Sequence, residues 1–173
     1  MIKIGIDAHV LGKGVGGVER FVREVMLRLA TLSSEIAPEF EYVIFLNATE
    51  FKQHSYTPQA NVQYVPLAFA NPLIERSLLM PWLCHQYKLD AIFVQRLLPW
   101  FCGKTKKIVA IHDLTPIKFP QQYAGLTNKL VRLLTPDTVK RADLILTPLQ
   151  LLAQKFRRFM VTLKHLFWHF IMG

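Results

Sequence analysis

The sequence predicts a doubly wound α/β fold on a mainly parallel sheet, and three observations carry that expectation. Short apolar runs alternate along the chain with segments whose apolar residues recur at helical spacing. Two of the runs, Ala91-Ile92-Phe93-Val94 and Lys107-Ile108-Val109-Ala110-Ile111, are continuous rather than alternating, the pattern of parallel strands buried on both faces. With 173 residues, 51% of them hydrophobic, the chain suits one domain that buries roughly 70% of its unfolded surface.

Ile2 to Ile6 reads as the first strand; a glycine-rich stretch follows, and then Val18, Phe21, Val22, Val25, Met26 and Leu29 mark one face of a helix. Glu41 to Leu46 predicts a second strand and Val62 to Leu67 a weaker third. Leu73 to Tyr87 predicts an apolar helix bent or started late by Pro81. The strands at 91–94 and 107–111 come next. Leu126 to Arg141 is expected to be an amphipathic helix broken near Pro136, Leu144 to Leu146 a last strand, and Leu149 to Phe159 a last helix. No internal repeat or low-complexity linker interrupts this order.

Composition narrows the function classes. The formal charge is +9, from 21 Lys+Arg against 12 Asp+Glu. The basic residues are scattered, which speaks against a nucleic-acid surface, and the cluster Lys104-Thr105-Lys106-Lys107 reads as a solvated loop. Two cysteines, Cys84 and Cys102, are too few for a disulfide framework and do not form C-x-x-C. Asp7 interrupts the amino terminus before an apolar run of signal length, and no run reaches the ~18 apolar residues of a membrane span. A cytoplasmic protein is expected, with peripheral contact to an anionic membrane face as an option for a basic chain.

In such a sheet, ligands gather outside the carboxyl ends of the strands, so Asp7 to Gly17, Gln95 to Trp100 and His112 to Pro120 are the segments that can carry chemistry. Gly12, Gly14 and Gly17 formally satisfy G-x-G-x-x-G ahead of a helix, where backbone N–H groups can cradle a phosphate. As a dinucleotide fingerprint it is offset, because Asp7 to Leu11 separate strand from glycines and Asn47 stands where an acid should end the second strand. His112-Asp113 follows a strand directly. There an imidazole can donate to a substrate hydroxyl or leaving group, with Asp113 fixing the loop or the tautomer; the structural alternative makes Asp113 a turn or cap residue. The remaining histidines show no metal-ligand spacing, so no metal is expected.

Read together, I-G-I-D-A at Ile4 to Ala8, G-G-V-E-R-F-V at Gly16 to Val22, I-H-D-L-T-P at Ile111 to Pro116 and V-K-R-A-D-L-I-L-T at Val139 to Thr147 resemble the amino-terminal half of family 4 glycosyltransferases, retaining nucleotide-sugar enzymes of GT-B fold. The resemblance runs over residues 2 to 159 and implies a Rossmann-like, acceptor-side domain. It implies Gly16 and Gly17 facing the donor phosphates and His112 at the donor sugar or reacting centre. Asp113, Asp7 and Glu19 are implied to orient the loop or the acceptor. The substrates implied are a nucleotide-sugar and a saccharide or lipid-linked acceptor, with no separate cofactor.

Two departures stand out. Leu149 replaces the family's serine, and the donor-binding domain with its paired carboxylates is absent, so transfer by this chain alone is not expected. Residues 160 to 173 also leave the family pattern. With codons chosen from the degenerate set, one added T after the codon for Phe159 gives F-Y-G-D-F-K-T-F-V-L-A-F-Y-N-G and restores it. A frameshifted tail is the expectation, and a split enzyme whose carboxy-terminal half is a separate chain is its alternative. Two other functions compete: an NAD- or nucleotide-binding protein, and a non-catalytic membrane-surface or interaction module.

Overall fold

A computed structural model describes residues 1–14, 16–32, 39–56, 59, 61–68, 78–122 and 125–147. In chain order they form β1 (Ile2–Ala8), α1 (Gly17–Leu32), β2 (Phe40–Asn47), α2 (Ala48–Gln53), β3 (Val62–Leu67), α3 (Met80–Gln86), β4 (Ala91–Gln95), β5 (Lys106–Ala110), α4 (Thr115–Lys118), α5 (Leu126–Arg141) and β6 (Leu144–Leu146). The six strands make one parallel sheet in the order β3-β2-β1-β4-β5-β6. This is a Rossmann-like α/β fold. The order reverses between β1 and β4, so the switch-point crevice opens at the carboxyl ends of those two strands.

Both faces of the sheet are covered, which is why its strands read as continuous apolar runs. On one face Val43, Phe45, Ile92, Val94 and Val109 pack with Met80 and Leu83 of α3. On the other, Ile6, Ile44, Phe93 and Ala110 pack with Val22 and Met26 of α1. Neighbouring residues such as Ile44 and Phe45 therefore belong to opposite cores, as the two-residue period of a strand requires.

At the amino ends of the strands, carboxylates tie adjacent segments through backbone N–H groups. Asp90 Oδ2 accepts from Lys3 N–H at 2.8 Å. Asp143 Oδ2 accepts from Lys107 N–H at 2.8 Å, and Asp143 Oδ1 from Lys106 Nζ at 3.2 Å. Burial pushes the Asp143 carboxyl up, but these donors and the two lysine charges outweigh it and hold it below the ordinary value.

Two differences from the sequence expectation have physical causes. The helix expected to break near Pro136 runs unbroken from Leu126 to Arg141. Pro136 lacks the N–H that would reach back one turn, but the preceding Thr135 Oγ1 donates to Val131 O at 2.6 Å and adds a bond beside the gap. Further along, Thr138 Oγ1 accepts from Leu98 N–H, anchoring α5 against the loop after β4. α2 was not expected from the sequence; Asn47 is its N-cap, accepting from Thr49 N–H at 2.8 Å. The helix expected over 73–87, bent or started late by Pro81, is described as Met80–Gln86 with Pro81 in its first turn, where a missing N–H costs nothing, and residues 73–77 lie outside the described residues. The helix expected at 149–159 and the tail 160–173 lie outside the described residues, as does residue 149.

Candidate functional site

β1 ends at Ala8 and hands over to a loop that returns to α1 through Gly12, Gly14 and Gly16, each with positive φ. Gly12 has no alternative: its φ is +76°, and a Cβ there would stand 2.8 Å from Glu50 Oε2. The loop is pinned from below. Gly12 N–H donates to Glu19 Oε1 at 2.9 Å. Arg23 Nη2 bridges Glu19 Oε1 at 3.4 Å and Glu50 Oε1 at 3.0 Å. Glu50 is fully buried and also accepts from the Tyr56 hydroxyl at 2.8 Å, with His54 Nδ1 at 3.3 Å. Burial, reinforced by that bond to Glu50, pushes the Tyr56 phenol up to about 12, so it remains a donor across the physiological range.

Gly16 and Gly17 sit at the open end of this arrangement. Gly16 has φ +62°, its carbonyl accepts from Arg20 N–H at 3.1 Å, and Gly17 is the first residue of α1. Both are exposed, and a Cβ at either would meet nothing within 4 Å. The start of a sixteen-residue helix is thus free of side-chain bulk at these two positions, and the first N–H groups of a helix lack partners within it. Asp7 is buried at the end of β1; its Oδ1 accepts from His9 N–H at 3.1 Å and contacts His9 Nδ1.

Across the switch point, β4 and β5 bring Gln95 and His112 together. Gln95 pairs in register with Ala110, and His112 lies two residues further along β5's path, on the same face of the sheet. His112 Nε2 and Gln95 Oε1 are 2.9 Å apart. The imidazole meets the Phe21 ring of α1 edge to face, with centroids 4.9 Å apart and planes at 79°. α1 therefore carries both the glycine-loop exit and the wall against which His112 rests. Burial first, and then the Arg96 charge, lower the His112 pKa against a smaller opposing pull from Asp113. The ring is held neutral at pH 7, fit to donate from one nitrogen and accept at the other.

Gln95 begins one of the segments that the sequence places at the ligand edge, but no motif there singles it out. It is 4% exposed, and among the described residues its Nε2 has no hydrogen-bond partner. A buried amide donor without a partner costs about 1–3 kcal/mol unless something satisfies it. The backbone beside it is strained too: Arg96 has φ +67°, and its N–H donates to Ala110 O at 2.9 Å. A left-handed non-glycine residue costs about 1 kcal/mol or more, and such strain gathers at functional sites.

Asp113 stands apart from this pair. It is exposed, and its Oδ1 accepts from Thr115 N–H at 2.9 Å, fixing the turn into α4. Beyond it, Ile117 and Phe119 are exposed on the same edge. The structure thus joins Glu19 to the glycine loop and His112 to Gln95, and leaves Asp113 in a backbone-capping role. Among the described residues no group of three or more His, Cys, Asp or Glu is placed to hold a metal ion, and no helix is long and apolar enough to cross a membrane. No protein-family model matches the chain, and no curated protein matches it.

Proposed function

We propose that this chain is the acceptor-side half of a retaining GT-B glycosyltransferase, working with a donor-binding half to move a sugar from a nucleoside diphosphate to a saccharide or lipid-linked acceptor. The observation that carries the reading is the polar pair Gln95–His112, seated against Phe21 at the switch point and next to the helix that the glycine loop feeds. A neutral imidazole and a spare amide donor suit a polyhydroxylated ligand, which offers hydroxyls to both. Gly16 and Gly17, open at the start of α1, suit the diphosphate, whose charge develops as the sugar departs. Exposed Ile117 and Phe119 on the same edge suit contact with a second domain.

A nucleotide-binding protein using the glycines as a dinucleotide fingerprint is the competing reading. It is disfavoured by Asn47, which caps α2 at the place where a ribose-binding carboxylate is needed. The deciding experiment is an NMR titration of the full chain with UDP- and GDP-sugars, simple oligosaccharides and NAD, following the His112 ring and the Gln95 side-chain amide. Sugar ligands are expected to shift both signals, and Gln95→Leu to abolish the saccharide response. Saturable NAD binding with no response to any sugar ligand overturns the proposal.

A further inference from the structure

The two cysteines that the proposed transfer reaction does not use lie at the opposite edge of the sheet, and they lie together. Cys84 is on α3, Cys102 on the loop between β4 and β5, and both are buried in one core cluster. A short hydrogen-bonded bridge joins their segments: Leu89 N–H donates to Cys84 O at 2.9 Å, Thr105 Oγ1 to Leu89 O at 3.0 Å, and Thr105 N–H to Cys102 O at 3.1 Å. The Cys102 thiol donates to Trp100 O at 3.7 Å, on the loop that closes the same core. Both also line one cavity of about 410 Å³, rimmed by exposed His85, Lys88 and Lys104. The rim's acid, Asp90, is already engaged by Lys3 N–H. The loop over the cavity turns through two left-handed residues, Phe101 at φ +59° and Gly103 at φ +58°, and the Phe101 ring is 85% exposed.

We infer that Cys84 and Cys102 form a thiol–disulfide exchange site whose substrate is a small anionic disulfide admitted through the lysine-rimmed cavity. The neighbouring Cys84 thiol, aided by the Lys107 and Arg141 charges, favours the Cys102 thiolate against the effect of burial. Cys84 is pushed the other way, first by its neighbour Cys102 and then by burial, so it waits as the resolving thiol. The Cys102 thiolate attacks one sulfur of the incoming disulfide; the S–S bond breaks and one thiolate leaves. Cys84 then gives up its proton and attacks Cys102 Sγ in the mixed disulfide, expelling the second thiolate. The protein loses two electrons and two protons, and the small disulfide becomes two thiols. Lys88 and Lys104 select an anionic reagent by raising its concentration at the cavity mouth.

The test uses the native full chain with glutathione disulfide, read by intact mass and by peptide mapping. The expected product is a loss of two hydrogen masses, a linked peptide pair containing Cys84 and Cys102, and full reversal by dithiothreitol. Cys84→Ser is expected to stop at a glutathione adduct on Cys102. The exposed double variant Lys88→Gln, Lys104→Gln is expected to react about tenfold more slowly with glutathione disulfide, while its rate with the neutral disulfide of mercaptoethanol stays unchanged. A native chain that stays fully reduced under excess disulfide, or that links only to other chains, overturns the exchange site. Equal rates for the double variant and the wild type overturn its selectivity for anions.

Discussion

The amino edge of the sheet and the Gln95–His112 crevice at its other edge treat polar side chains in opposite ways. At the amino edge, Asp90 and Asp143 each accept from a backbone N–H and each joins neighbouring segments. In that crevice Gln95 is buried with a donor left over among the described residues, His112 is held neutral, and Arg96 keeps a strained backbone. Satisfied polar groups hold a fold together, whereas buried groups with spare capacity detract from stability and can be relieved only by something that binds. The glycine loop combines both habits: its base is locked by Glu19, Arg23 and Glu50, while Gly16 and Gly17 stay open.

The largest test of that division falls on the lock. Glu50→Ala removes the buried carboxylate that Arg23, Tyr56 and His54 share, and is expected to cost about 3 kcal/mol in urea unfolding. A loss within error of zero would mean that the loop base is not a structural lock. Next in size, Asp143→Ala is expected to lower stability by about 1 kcal/mol at pH 7, while Gln95→Leu lowers it not at all, because it removes an unsatisfied group along with a satisfied one. Since the folded Asp143 carboxyl lies below its ordinary 3.8, its contribution is whole above that pH. It disappears as pH falls through the folded value, so the two unfolding midpoints converge in acid. If Gln95→Leu costs as much as Asp143→Ala, the contrast between the edges fails.

The smallest effect sharpens the carboxyl edge alone. Arg96→Gln removes a charge that helps to keep His112 unprotonated, so the His112 ring is expected to titrate at higher pH by NMR with no change in urea midpoint at pH 7. In the wild type, the folded pKa of His112 lies below 6.5. Its neutral form therefore supports the fold fully above that value and loses that support as pH falls toward the folded pKa. An unmoved titration in Arg96→Gln would mean that burial acts on this ring without help from the guanidinium.

Much of this was legible in the sequence, and the reasons are local. The runs at 91–94 and 107–111 announce strands covered on both faces, and the apolar spacing from Val18 to Leu29 announces α1. His112 and the glycines stand out because they follow strands. What was not legible depends on partners distant in the chain. Asn47 attracted notice as a missing acid, and only the fold reveals it as the cap of α2. α4, at four residues, is too short to show a helical period. Glu50 lies in the short segment Ala48–Gln53, and nothing nearby says that Arg23 will pair with it. Pro136 looked like a break because the Thr135 hydroxyl bond that supports the turn is invisible to a propensity argument. That the Gln95 amide has a donor unpaired among the described residues is a property of the whole crevice.

The placement of β1 also sets a schedule for the nascent chain. One edge of β1 pairs with β2, which follows soon after it, but the other waits for β4, and Asp90 lies 87 residues beyond Lys3, to which it bonds. As the ribosome delivers the polypeptide, β1, β2 and β3 can assemble first, with the Ile4–Ile6 edge of β1 bare. It stays bare for the few seconds that synthesis takes to pass from Leu67 to Gln95 at about 5–20 residues per second. A bare apolar edge invites pairing with a neighbouring polypeptide. A strand that ends paired along both edges is thus, during translation, in need of a chaperone.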